Sequence, residues 1–512
     1  MNPKEIFKFY CLTIKYKMSI PSPIGLPQEL KLGEVDYSLP ADARSYQVNV
    51  QPSNVSTVSQ TGISVISAVS APPTVVPQFT SQTVYFDLPA GSSPSTFIDN
   101  RFTTLSFRAN MAVTTAFVGA SAQTGFQRSG GYSWIDRMYI TAQNGNIVED
   151  ITEFGLVNDL MVATQLNTAT RDTLATQYGF LSGTANEAQG HQWQSIAAAT
   201  AATATETYSY SIPLISSLIG VTADRFFNIG RTNKLQLAIQ TTSELPISIQ
   251  NPSTAAITAG QFTITLSDFA LQCQYVDIGP TALAMVDATL PDKKAYIHGT
   301  TYKTSSISMP AVAGSQSLLA GIRGSSIKSL FCRFAEGGTT PYAQTAGPNG
   351  KYDSKNPNIN SINFNVGGQR LPNNPVNPLL NPSRAFRALQ MASGSYNNSQ
   401  FQSSMIPAQY CKLSLGGTAQ ALTVGGTQAY FWNTNAAVAT NNSALCQFIY
   451  GEDLEVVARR GLMSGLNCNS APVFVEFNVA TAPTNAQTLY VHALSDVVYI
   501  HDISTGDVQV RL

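Results

Sequence analysis

The order of apolar and polar positions is most informative between Arg137 and Leu166, RMYITAQNGNIVEDITEFGLVNDLMVATQL. Met138 to Ala142 alternates large and small residues on a β-prone run, and Asn144-Gly145 supplies the positive-φ pair of a tight turn. A helix is expected next. Glu149 and Asp150 would sit at its first turn, where exposed N–H groups favour negative charge, and Ile151, Phe154, Val157, Met161 and Val162 share one face at helical spacing. Leu156 and Leu160 fall off that stripe, so the helix should be buried on more than one side. The same plan recurs downstream. Ile362 to Val366 alternates as a strand, Gly367-Gly368 is the turn, and after a Pro-rich connection Asn381-Pro382 opens a helix whose apolar side is Phe386, Leu389 and Met391.

Further landmarks repeat in the same order. Leu235–Gln240 (LQLAIQ) leads to Leu266-Ser267-Asp268, and Val473–Asn478 (VFVEFN) leads to Leu494-Ser495-Asp496. Each copy closes on another β run, Leu271 to Ile278 and Val497 to Ile503. The offsets are 223 residues (145 to 368), 238 (235 to 473) and 228 (268 to 496). Any β-rich chain repeats strand and turn patterns, but three landmarks at nearly one offset favour duplicated domains; solenoid repeats run at only about 20–50 residues.

The rest of the chain fits around the duplication. Residues 1–80 read as an N-terminal arm, with Met18 as an alternative start to Met1; 81–279 as a first domain; 280–294 as a linker with a short helical turn over Ala282–Ala288; and 295–512 as a second domain. Thr83–Leu88, Phe102–Met111, Tyr208–Ile212 and Phe262–Leu266 add strands to the first half, and Thr304–Met309, Ile327–Phe334, Phe448–Tyr450 and Leu454–Ala458 to the second. Long polar stretches interrupt both at Arg171–Thr207, Ala335–Pro357 and Ser395–Ser443, and read as surface projections. Each half thus offers about eight short antiparallel strands and one short helix, the jelly-roll count. The expected fold is all-β: two consecutive eight-stranded antiparallel jelly rolls with long inserted loops.

Composition sharpens this. Of 512 residues only 12% are charged while 43% are hydrophobic, so the polar surface is built mostly from Ser, Thr, Asn and Gln. Neutral polar groups cost less to desolvate than charges and suit a protein that packs against copies of itself, although a secreted β-rich protein also fits. The net charge of −1 (29 basic, 30 acidic residues) includes no basic tail or Arg cluster, which argues against sequence-specific nucleic-acid binding. Lys4, Lys8, Lys15 and Lys17 punctuate an apolar N-terminal segment too broken for a signal peptide or membrane span. Cys11, Cys273, Cys332, Cys411, Cys446 and Cys468 lack CxxC or metal-ligand spacing and read as isolated thiols, favouring assembly inside a cell. The sequons at Asn397-Asn398-Ser399 and Asn441-Asn442-Ser443 read as incidental.

Chemistry-bearing patterns are sparse. His191, His298, His492 and His501 have no paired spacing; His492 and His501 lie near Asp496 and Asp502 in sequence but read as strand-face and loop-end residues. Gly347–Lys351 (GPNGK) superficially resembles a phosphate loop without its G-x-x-x-x-G-K-[ST] signature. Glu452, Asp453 and Glu455 beside Arg459 and Arg460 read as a salt-bridged patch in preference to a calcium site or catalytic pair. No G-x-S-x-G or H-E-x-x-H occurs. No catalytic, cofactor-binding or metal-binding residue is assigned, and the expectation is a structural protein without enzymatic activity.

On these residues the chain resembles the double-jelly-roll major capsid proteins of virophages, polinton-like viruses and nucleocytoplasmic large DNA viruses, a lineage that includes adenovirus hexon. ITAQNGNIVEDITEFGLVNDLMVA is similar to a strand, turn and helix of virophage capsid proteins, FNVGGQRL to a Gly-Gly-Gln-Arg turn of large-virus capsid proteins, and LYVHALSDVVYIHDIST to their closing strands. The long arm and the Ser395–Ser443 excursion depart from that pattern. The resemblance implies a homotrimer forming a pseudo-hexagonal capsomer in an icosahedral virion, assembled in the host cell, with neighbouring capsomers, penton and minor capsid proteins as partners. The alternative is a two-jelly-roll carbohydrate-binding protein or glycan-directed hydrolase, which predicts a monomer with an aromatic or carboxylate-lined cleft. A fibre or spike would need repeats that the sequence lacks.

Overall fold

The computed structural model describes residues 43–54, 58–61, 81–113, 123–126, 129–179, 192–195, 205–223, 225–243, 247–250, 262–336, 350–352, 354, 356–394, 405, 410, 423–424, 427–428, 448–455, 464–483 and 486–511. In the first half one sheet has the order β1 (Arg44–Val50), β12 (Phe262–Asp277), β4 (Thr96–Val113), β9 (Thr205–Pro213), with β2 (Val58–Thr61) also on β12. The second has the order β3 (Thr83–Leu88), β10 (Leu235–Thr241), β6 (Ile135–Ala142), β7 (Ile147–Thr152). A small extra sheet, β11 (Ile247–Gln250), β5 (Gln123–Phe126), β8 (Gln192–Ser195), is built from insertions.

The second half repeats the plan. One sheet runs β13 (Lys294–Met309), β22 (Gln487–Asp502), β15 (Ile327–Glu336), β20 (Ile449–Asp453), with β23 (Asp507–Arg511) returning along β22. The other runs β14 (Gly314–Ala320), β21 (Val473–Val479), β16 (Ile359–Val366), β17 (Gln369–Val376), and a hairpin joins β18 (Thr423–Val424) to β19 (Thr427–Gln428). Ranked along the chain, the eight principal strands of either half are ordered first-eighth-third-sixth in one sheet and second-seventh-fourth-fifth in the other. All pairs are antiparallel, so each half is a jelly roll.

Alternation explains the layers. Val84, Phe86 and Leu88 of β3 and Leu235, Leu237 and Ile239 of β10 point inward and join Ile264, Leu266 and Leu271 of β12 in one hydrophobic cluster. In the second domain Phe334 of β15 meets Phe477 of β21 edge to face at 5.5 Å, and Phe364 of β16 stacks on Tyr450 of β20 at 5.8 Å.

Several expectations need correction. Glu149 and Asp150 do not open a helix: Ile147–Thr152 is the return strand of the Asn144-Gly145 hairpin, pairing Tyr139 with Asp150 and Met138 with Ile151. The turn itself carried that signal, since Asn-Gly between apolar runs demands a partner strand, and the β-branched Ile147, Val148, Ile151 and Thr152 suit one. The helix α1 starts later, at Phe154–Gln165, and is buried on most sides as the scattered leucines implied. Likewise the Pro-rich connection after Gly367-Gly368 is strand β17, before a helix Pro382–Ala392 whose Met391 is exposed. Both glycines have positive φ, 59° and 91°, which the tight reversal requires. Part of the presumed loop at Arg171 is a second helix of the first domain, α2 (Thr168–Tyr178), whose Thr170 N–H is capped by Asn167 Oδ1 at 2.6 Å.

The arm boundary also shifts. Arg44–Val50 and Val58–Thr61, placed in the arm by composition, are strands on the edge of β12. Ser53 and Asn54 then bond the backbone of Thr83 and Tyr85, covering the open edge of β3. Between the domains the expected helical turn is a full helix, α3 (Gly279–Thr289); Pro382–Ala392 is α4.

Candidate functional site at the junction of the two domains

The most heavily built polar site lies where the jelly rolls meet. Arg333 sits in β15 within the apolar run SLFCRFA, and Asp159 sits in α1 within GLVNDLMVA. Their side chains are 0% and 1% exposed and pair at 3.0 Å. A second guanidinium nitrogen of Arg333 donates to the Tyr352 carbonyl at 2.9 Å. A charge is tolerated this deep only with its counter-charge and further hydrogen bonds in place. His492 of β22 is buried beside them, with Nδ1 2.9 Å from the Thr304 hydroxyl. Burial first, and then the Arg333 charge, pull its pKa down to about 3, so it is neutral.

Around this pair the contact widens. Lys351 Nζ reaches Asp136 at 2.9 Å and Glu153 at 2.5 Å, both in the first domain. Burial disfavours the ammonium, but the two carboxylates outweigh it and hold its pKa well above that of an ordinary lysine. On the other flank Glu149, buried in β7, accepts from the Ser217 N–H at 2.7 Å and from the Ser216 and Ser217 hydroxyls at 2.5 Å each. Burial pushes its pKa up despite those donors. The Ser217 hydroxyl lies 2.6 Å from the Tyr499 hydroxyl of the second domain. Asn233 extends the seam by bonding the Thr505 and Gly506 carbonyls at 2.7 and 3.0 Å.

Close backbone approach makes these bonds reachable. A Cβ on Gly299 of β13 would lie 2.8 Å from both the Cβ and the carbonyl oxygen of Ser217, inside van der Waals contact. Gly299→Ala is therefore expected to push the domains apart and destabilise the chain by about 1–3 kcal/mol, the usual cost of overpacking. Chemical denaturation checks this, with Gly368→Ala, where a Cβ meets nothing within 4 Å but φ is positive, as a turn-strain control.

The sequence candidates fall as follows. His191, Cys11, Cys411, Cys446, Arg459, Arg460 and both sequons lie outside the described residues. His298 is half-buried on β13. His492 and His501 lie apart from any carboxylate pair: His501 contacts the Thr232 hydroxyl at 3.3 Å and packs on Phe227, while the half-buried Asp502 bonds Ser504. Lys351, the one polar-charged member of GPNGK, is an interdomain ion-pair partner. In the acidic patch Glu455 pairs with Lys328 at 2.9 Å, and Lys328 also reaches Asp496 at 3.4 Å. Cys273, Cys332 and Cys468 are buried free thiols. No group of three potential metal ligands occurs among the described residues. Sequence reading missed Arg333 and Asp159, although a lone charge inside each apolar run was the available signal. The geometry can hold two domains in one orientation.

Neither protein-family models nor curated proteins match the sequence. Solved structures do match the fold. A chain of the Sputnik virophage determined by cryo-electron microscopy is 12% identical, with 96% of this chain and 94% of that one covered at a TM-score of 0.53. The crystal structure of PBCV-1 VP54, fitted into a reconstruction of the virophage Sputnik, is 10% identical over 92% and 97% of the two chains at 0.50. The mavirus major capsid protein is 13% identical over 93% and 91% at 0.48. With the strand order above, the chain is a double jelly roll, sharing its architecture with the virophage chain and with VP54.

Proposed function

We propose that the chain is the major capsid protein of an icosahedral double-stranded DNA virus, and that three copies form a pseudo-hexagonal capsomer. The observation that carries this reading is one strand order repeated in a single chain, with the two copies locked together by the buried Arg333–Asp159 ion pair. Two similar domains in fixed orientation let three chains present six comparable units. The likeness to a chain of a virophage particle supports the same reading, as does the low-charge composition. The work of such a protein is packing, and no enzymatic step is assigned to it. Its partners are further copies of itself within the trimer, adjoining capsomers, and penton and minor capsid proteins. The insertions within Arg171–Thr207, Ala335–Pro357 and Ser395–Ser443, apart from the parts that form α2, β9, β15 and the Lys351–Tyr352 seam, are assigned to towers or trimer clasps.

Light scattering coupled to size exclusion should give a mass three times that of the chain, and negative-stain images of the peak a hexagonal outline. A monodisperse monomer that stays monomeric at high concentration, with a glycan-binding signal, would overturn the reading in favour of a carbohydrate-directed protein.

A further inference from the structure

The helix between the domains has an unusual surface. Of the eleven residues of α3 only Gly279 and Leu283 are buried. Ala284, Met285, Val286 and Ala288 are exposed, Met285 at 68%. Its single charge, Asp287, is held by Arg231 through bonds of 2.7 and 2.8 Å. The outer face of α3 is therefore apolar and uncharged. At its far end opens a cavity of about 280 Å³ lined by Arg231, Asp287, Leu290, Lys293, Ile503 and Ser504. Lys293 has no carboxylate partner among the described residues. An apolar strip leading to a depression in which Lys293 is the cation left without a carboxylate suits an extended segment with one apolar face and acidic residues between.

The chain contains such a segment close by. Arg44, at the start of β1, pairs with Asp277, 3.6 Å from its carboxylate, and Asp277 lies just before α3. The residues before β1 thus enter the fold at the near end of this helix. Among them Glu34-Val35-Asp36-Tyr37-Ser38-Leu39 alternates strictly, with Val35, Tyr37 and Leu39 apolar and Glu34 and Asp36 acidic. An extended chain advances about 3.3 Å per residue, so Asp36 can lie about 26 Å from Arg44. An eleven-residue helix spans only about 16 Å. The segment can therefore run the length of α3 and reach the cavity.

We propose that Glu34–Leu39 docks in extended form along α3 of its own chain, with Val35, Tyr37 and Leu39 on the Ala284, Met285 and Ala288 surface, Glu34 and Asp36 on the opposite face, and the Glu34 end nearest Lys293. This contact is independent of the capsid reading. The test replaces Met285 in the full-length chain with p-benzoylphenylalanine, irradiates, and digests with trypsin, which cuts after Lys31 and Arg44 to release Leu32–Arg44. A crosslink from position 285 to that peptide is expected, and the triple variant Val35→Ser, Tyr37→Ser, Leu39→Ser should lower its yield at least about ten-fold, as loss of an anchoring contact does. Crosslinks to other peptides, crosslinks between light and isotope-labelled copies in a mixed sample, no crosslink, or an unchanged yield in the triple variant would each overturn it.

Discussion

Replacing Arg333 with methionine is expected to lower stability by about 3–5 kcal/mol, because it strands the buried Asp159 carboxylate without its counter-charge. Asp159→Leu alone should cost a similar amount by stranding the guanidinium. The double variant, Arg333→Met with Asp159→Leu, should recover most of the loss, since an apolar pair of similar volume carries no desolvation penalty. Urea denaturation of the four proteins completes a double-mutant cycle. Simple addition of the two single losses would mean that the pair is uncoupled and that the junction is held by packing alone. Because the pair joins β15 of one domain to α1 of the other, the single variants should also admit proteases at the junction before either domain unfolds.

Lowering the pH from about 6.5 to 4 is expected to remove about 3 kcal/mol of stability for each of His492 and His501, at about 1.4 kcal/mol per pH unit per group. Both are fully buried in the fold, which pulls their pKa values down to about 3 and about 4. Each histidine therefore stays neutral in the fold while the unfolded chain takes up its proton near the ordinary value. A depressed folded pKa gives stability that is complete above the unfolded value and is lost as pH falls toward the folded one. Arg333 reinforces the shift at His492 and Asp159 opposes it. Glu149 acts in the other direction: its raised pKa contributes stability at low pH that is lost as pH rises, so it offsets part of the histidine loss. The carboxylates whose pKa is depressed, Asp87, Asp99, Asp277 and Asp502 with an ordinary value of 3.8 and Glu476 with one of 4.5, contribute above those values and add to the loss only at the acid end of the window. Unfolding midpoints measured across this window should fall steeply, and His492→Gln, which cannot titrate, should flatten the slope by about half. An unchanged slope would show that His492 is protonated in the fold.

The duplication was legible because strand patterning is local. The LQLAIQ and VFVEFN runs are strands β10 and β21, the seventh of each jelly roll, and the two Leu-Ser-Asp tripeptides lie on β12 and β22, the eighth. Yet those matching tripeptides have different surroundings. Asp268 is exposed at a bulge with φ of 56° and meets Arg108 across the surface at 3.2 Å. Asp496 is buried, accepts from the Ser326 hydroxyl at 2.7 Å and faces Lys328. Glu149 shows the same limit from the other side. Local charge placed it at a helix start, whereas the hairpin ladder puts it on a strand and the second domain's Tyr499 completes its polar cluster through Ser217.

By itself the sequence determined the all-β class, the tight turns, the two-domain plan and the absence of a recognisable catalytic motif. Period-2 alternation and a positive-φ turn pair need only a few neighbouring residues to be read. Tertiary structure alone decided which charges are partners: Asp159 and Arg333 are 174 positions apart, and Ser217 and Tyr499 are 282 apart. Such pairs form only after the two domains have come together, where exclusion of water costs desolvation but strengthens the attraction and hydrogen bonds that offset it. That desolvation has no counterpart in the linear pattern of residues.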